Sequence, residues 1–284
     1  MRHLPARSGV AFAGALAIVL AGCSSSQDDS SDTQGTGDGS TYTTREVDDG
    51  TTTFTVVENP NGGATLSYGP DAGFKVLEEK DGEFTYAFKD MNANGTLDKW
   101  EDWRLSGEGR AADLVQHLSI EQIEGLMLFS SHERAPEDGL TDAQKQYLSE
   151  SHLRNVLNAA GNEIEPNVTW VNAMESYVES LASEDEPYIP VNFSSDPRSD
   201  AAGGYTESAV TDISVWPNSL GLAATFNPDT VLEFGKMASS EYRALGINMA
   251  LSPQIDLATD PRWSRSCVPV SATIPVSNQL RKNR

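Results

Sequence analysis

Residues 216–265 read WPNSLGLAATFNPDTVLEFGKMASSEYRALGINMALSPQIDLATDPRWSR, and the fold turns on how they are parsed. The pattern predicts one strand-helix-strand unit, with the apolar run 220–225 as the first strand. A helix follows, because Asn227 supplies an N-cap, Pro228 suits the first helical position and Asp229 places an acid in the first turn. Val231, Leu232, Phe234, Ala238 and Tyr242 keep its apolar surface on one broad side, and Gly246 stands where a helix stops. Residues 247–251 form the second strand. Gln254, Asp256, Asp260, Arg262 and Arg265 crowd into the loop beyond it. In α/β folds ligands bind at the carboxyl ends of strands, so this loop is the first place to look for a site.

The same alternation extends upstream. Residues 111–118 read as an amphipathic helix, and Ser119 with Gln122 makes a capping box for a short one. A strand is expected at 126–129, a helix opened by Thr141 and Gln144, a second strand at 155–157 and an amphipathic helix over 168–181. A further strand is expected at 189–193. Strands alternating with helices argue for a mostly parallel sheet or barrel. Residues 41–89 differ, being rich in Thr, Val, Phe and Tyr and punctuated by Asn61-Gly62-Gly63 and Asp81-Gly82. Those are hairpin signals, and pairing of 74–77 with 84–88 around Asp81-Gly82 is expected within a small β-rich lead-in.

Between lead-in and barrel lies DMNANGTLDKWE, residues 90–101. Asp90, Asn92, Asn94, Thr96, Asp98 and Glu101 occupy positions 1, 3, 5, 7, 9 and 12 of a twelve-residue EF-hand-like calcium loop, with Gly95 at the sharp turn. Calcium requires six to eight oxygens, which carboxylates, amide oxygens and the Thr96 carbonyl could furnish. The expectation is a structural Ca2+ pinning the lead-in against the barrel. A solvated Asn-Gly turn is the alternative.

Composition bounds the function. Acids outnumber bases 42 to 20, for a formal net charge of -22. That excess argues against nucleic acid or an anionic lipid surface as partner of the main surface and suits a neutral ligand such as a sugar. At the N-terminus, Arg2 and Arg7 precede an apolar run over residues 10–20, and Leu20-Ala21-Gly22-Cys23 resembles a bacterial lipoprotein cleavage box. Residues 1–22 would be the leader and Cys23 the lipidated first residue, so that the protein is exported and held at the cell envelope by its lipid. Residues 23–40 are a flexible Ser/Asp/Gly tether with almost nothing to bury. None of the four histidines has metal-like spacing.

LGLAATFNPD, then EYRALGI, then LSPQIDLATDPRWSR resembles, in wording and order, the N-terminal barrel domain of glycoside hydrolase family 3, the β-glucosidase and β-xylosidase type. The resemblance implies a partial (β/α)8 barrel over 102–265, entered from the lead-in and the 90–101 loop. It implies retaining hydrolysis of terminal β-linked glucosyl or xylosyl residues in an oligosaccharide or β-glucoside. Asp196 matches the family aspartate that binds sugar hydroxyls after the strand at 189–193, with an Asx turn before Pro197 as the structural alternative. Arg265 matches the family arginine that reaches the same sugar; Arg262 and Trp263 read as bracing residues and Asp256 as a loop-closing acid. The nucleophile and acid/base of a retaining enzyme, set about 5 Å apart, are matched by no residue here. Residues 266–284 carry three bases and no acid and read as an aberrant tail, so that the expected product is an incomplete barrel with weak sugar binding and no catalysis. A calcium-dependent, surface-tethered carbohydrate-binding module is the second expectation.

Overall fold

The computed structural model describes residues 39–48, 50, 52–159, 163–195, 213–217 and 219–251. The leader, Cys23, most of the tether, Asp196, the 252–265 loop with Arg265, and the tail lie outside the described residues. Among those described, no helix is long and apolar enough to cross a membrane.

The lead-in is β-rich. Strands β1 (Thr43–Asp48), β2 (Thr53–Glu58) and β3 (Thr65–Tyr68) form an antiparallel sheet in that order. Asn61 and Gly62 both take positive φ in the β2–β3 connection, which is why Asn-Gly is found there. Strands β4 (Val76–Asp81) and β5 (Phe84–Lys89) form the expected hairpin, with Asp81 opposite Phe84. β4 starts at Val76 rather than at 74 because Phe74 is drawn into the core, its ring 5.3 Å from that of Tyr188.

Helices α1 (Gly107–Leu114), α2 (Ile120–Leu126) and α3 (Asp142–Ser149) follow, with β6 (Phe129–Glu133) between α2 and α3. Both expected capping boxes are present: Ser119 with Gln122, and Thr141 with Gln144. Three boundaries differ from expectation, one being the end of α1 at Leu114 rather than at 118. Ser106, whose side chain accepts from Gly109 N, starts α1 four residues early. The strand expected at 126–129 starts only at Phe129, because Leu126 still belongs to α2 and the turn at Met127 and Leu128 bonds back to Glu124 and Gly125.

The second half contains β7 (Asn155–Asn158), α4 (Ile164–Ser180), β8 (Asn192–Ser195), α5 (Ser219–Ala224), α6 (Pro228–Ala244) and β9 (Met249–Ala250). The run at 220–225 is thus helix, not strand. Leu, Gly, Leu and two Ala contain no β-branched residue, and Leu and Ala favour helix once the chain turns at Thr225 and Phe226. β8 begins three residues later than expected: Pro190 has no N–H, and Val191 N donates to Glu175 Oε2 at 2.9 Å instead of to a neighbouring strand. α6 matches its expectation, with Asn227 capping Asp229 N at 3.0 Å and Gly246 at φ 75° closing it.

β6, β7, β8 and β9 form one parallel sheet in chain order. Chain-order winding through right-handed crossovers is that of a barrel; an open doubly wound sheet reverses its order partway. The core under this sheet is shared with the lead-in. Trp170, Phe193, Val156, Leu148, Met174 and Val178 pack in the same cluster as Phe74, Met91 and Trp100. A second cluster joins Tyr242, Leu245 and Ile247 to Ile213, with Val168 against it.

Gly246 links helix ending to packing. A Cβ there would lie 2.5 Å from Val171 Cγ1, at a φ that side chains rarely adopt. Gly246→Ala is expected to cost about 3 kcal/mol in urea unfolding, from backbone strain plus overpacking; a loss below about 1 kcal/mol would mean the helix end is free to move.

Candidate functional site

Two groups of residues have the makings of a site. The first is the row of polar groups at the carboxyl ends of the parallel strands: Glu133 on β6, Asn158 on β7 and Ser195 on β8. Glu133 Oε2 accepts from Gln144 Nε2 at 2.9 Å and its Oε1 from Ser131 Oγ at 3.2 Å, while the Tyr147 hydroxyl lies 3.5 Å away. Burial, with the Glu133 charge beside it, raises the Tyr147 pKa, so this phenol stays a neutral donor. Asn158 is fully buried and donates through Nδ2 to the equally buried Asn167 Oδ1 at 2.9 Å. Ser194 and Ser195 are fully buried too. The strand ends thus carry neutral hydroxyl and amide groups and one carboxylate. It suits a polyhydroxylated ligand better than an ionic one.

Asp196 follows Ser195 directly in the chain, and Arg265 follows the loop after β9. Their own placement lies outside the described residues, as does that of Asp256, Arg262 and Trp263. Glu133, Tyr147 and Asn158 were not singled out in the sequence, and Gln144 was read only as a helix cap. The rule that ligands meet strand ends could have found Glu133 and Asn158, since each is the last polar residue of a short strand.

The second group is the 90–101 loop, which forms a tight, self-bonded turn. Asp90 Oδ1 and Oδ2 accept from Asn94 N and Gly95 N, both at 3.0 Å, and Asn94 Oδ1 accepts from Thr96 N and Thr96 Oγ1 at 2.7 Å. Asn92 and Asn94 each turn an amide Nδ2 toward Asp98 Oδ2, at 2.7 and 2.8 Å. Glu101 reaches back across the loop, accepting from Met91 N at 2.6 Å and Asp98 N at 3.0 Å. Gly95 takes φ 79°, the conformation its position requires. Asp90 and Glu101 are each only 2% exposed. Burial pushes the Glu101 carboxyl up to about 7 from its ordinary 4.5, against backbone hydrogen bonds that lower it. Among the described residues no three carboxylate, imidazole or thiol groups converge as a metal cluster. A cation here would therefore depend on the amide and main-chain oxygens as well, which is the donor set hard Ca2+ accepts.

Two histidines, His117 and His152, stand beside acids. His152 Nδ1 lies 3.0 Å from Glu186, which also takes Arg154 Nη2 at 3.0 Å and Gln122 Nε2 at 3.0 Å. His117 stands 3.6 Å from Asp113 one turn away.

Comparison with known proteins places this arrangement. The model of the glycosyl hydrolase family 3 N terminal domain matches residues 118–274. A periplasmic beta-glucosidase/beta-xylosidase of Dickeya chrysanthemi is 37% identical over 188 residues, covering 63% of this chain and 28% of that protein. Beta-glucosidase C of Emericella nidulans is 32% identical over 163 residues, covering 55% of this chain and 25% of that protein. A periplasmic beta-glucosidase of Salmonella typhimurium is 44% identical over 52 residues, covering 18% of this chain and 7% of that protein. The chain thus spans about a quarter of the length of the first two. The names give no support to the calcium-dependent binding-module expectation.

Proposed function

Because the chain belongs to glycosyl hydrolase family 3, we propose that it supplies one wall of the sugar site of a β-glucosidase, an enzyme that removes terminal β-linked glucosyl or xylosyl units with retention. The reading is carried by the family match over a parallel sheet whose strand ends present Glu133, Asn158 and Ser195. Asp196, next after Ser195, would accept hydrogen bonds from two sugar hydroxyls at once, and Arg265 would donate to the same ring. Retaining chemistry needs a nucleophilic carboxylate and a second carboxyl acting as acid then base. We assign neither to a residue of this chain.

The 90–101 loop is, on this proposal, a structural calcium site. Asp90, Asn92, Asn94, Asp98 and Glu101 would hold the ion with the Thr96 carbonyl, and the ion would neutralise two buried carboxylates that no described ion pair serves. The periplasmic relatives and the leader support export, and the box ending at Cys23 supports lipid attachment. Cys23→Ser is then expected to move the protein from the membrane to the soluble fraction; retention on the membrane would dismiss lipidation.

For the sugar wall, Asp196→Asn should weaken binding of an aryl β-glucoside by at least about tenfold, roughly 1.4 kcal/mol, without shifting the thermal midpoint. Unchanged affinity would reject Asp196 as a ligand. For the loop, calorimetry should show calcium uptake at millimolar concentration. In chelator a sign follows from Glu101. Its folded pKa lies above its unfolded value, so its contribution is fully present below about 4.5 and is lost as pH rises to about 7. Stability should fall over that window, Glu101→Gln should flatten the fall, and calcium should abolish it. No uptake, or a pH profile that Glu101→Gln leaves unaltered, would reject the site.

A further inference from the structure

β8 reads Asn192-Phe193-Ser194-Ser195, with a single apolar residue. Strand register is ordinarily enforced by a hydrophobic pattern, and slipping by one residue turns every side chain to the opposite face. Here the pattern cannot do it. The register must be fixed by hydrogen bonds at the start of the strand, and the structure places a dedicated set there. Asn192 N donates to Arg154 O at 2.7 Å, and Asn192 Nδ2 donates to Asn155 Oδ1 at 3.0 Å on β7. Just before the strand, Glu175 of α4 takes two further donors: Oε2 accepts from Val191 N at 2.9 Å and Oε1 from the Tyr188 hydroxyl. Tyr188 is itself held from the lead-in side, its N donating to Met91 O at 2.7 Å and its ring lying 5.0 Å from Lys89 Nζ.

Resting on the proposed sugar reading, we infer that Glu175 and Tyr188 are positioning residues for the sugar wall, fixing the register of β8, the strand that ends at Ser195 and leads directly into Asp196 in the sequence. Val191 immediately precedes the strand, whose extended chain ends at Ser195, about 13 Å on. Because that chain is extended, a shift at Val191 is carried along it to Ser195, the residue before Asp196 in the sequence. Glu175 does not touch the sugar; its effect passes entirely through the strand.

The test uses the 284-residue chain and two readouts, hydrogen exchange of β8 amides and affinity for an aryl β-glucoside. Glu175→Ala should speed exchange at residues 193–195 by at least about tenfold while the 155–158 amides of β7 keep their rates, and should weaken the glucoside by at least about tenfold. Glu175→Gln, which keeps one acceptor oxygen, should recover most of both effects, and Tyr188→Phe should give an intermediate loss. If β7 loosens as much as β8, or if β8 exchange is unchanged, the positioning role is wrong. Asp196→Asn separates the two failures. Should it abolish binding while Glu175→Ala leaves binding intact, the inference falls and the sugar reading stands; should it leave binding intact, the sugar reading falls and the inference with it.

Discussion

Helix α4 carries two acids one turn apart, Glu175 and Glu179, and the described structure is arranged around satisfying them. Glu179 is only 3% exposed. Its Oε2 accepts from Gly69 N at 2.8 Å and its Oε1 is paired with Lys89 Nζ at 3.0 Å, both partners lying in the lead-in. Its carbonyl also accepts from Gly73 N at 2.9 Å. Glu175 faces the other way along the chain, to Tyr188 and Val191 ahead of β8. A carboxylate taken out of water is tolerable only when paired and hydrogen-bonded. One helix therefore needs both the lead-in and the β8 segment in place, and Lys89, over the rings of Phe74 and Tyr188, ties those two together.

This arrangement explains which features were legible in the sequence. Capping boxes at Ser119 and Thr141, the Asn227-Pro228 start of α6, the Gly246 stop and the β4–β5 hairpin are local devices whose partners sit within a few residues, and the structure has all of them. What escaped was set by distant partners. The late start of β8 depends on Glu175, sixteen residues away in sequence. The short helix α5 was misread because an apolar run of four to six residues has no period of its own to separate strand from helix. At the candidate site, Glu133 and Asn158 were passed over because the expected strands ended at 129 and 157, short of both. Asp196 and Arg265 are expected at the site only through resemblance to the family, and both lie outside the described residues.

The two candidate centres lie at opposite ends of the same strands. Met91, in the 90–101 loop, bonds to Tyr188 where the chain approaches β8, at the amino end of the sheet. Glu133, Asn158 and Ser195 mark the carboxyl end. In barrels of this winding the amino face serves stability and the carboxyl face chemistry. An ion in the loop, on our reading, would act on the scaffold that aims β8 and not on the sugar. Lead-in, loop and sheet then share one purpose, holding a polar strand that its own side chains do not register.

The claim underlying this account is that the lead-in and the parallel sheet open as a single unit. Native-state hydrogen exchange measures it directly, by comparing opening free energies of amides in β5 with those in β7 under conditions where exchange reports equilibrium opening. The account predicts values equal to within about 1 kcal/mol. If β5 opened several kcal/mol more easily than β7, the lead-in would be an independent appendage and the α4 acids would not be what joins it to the sheet.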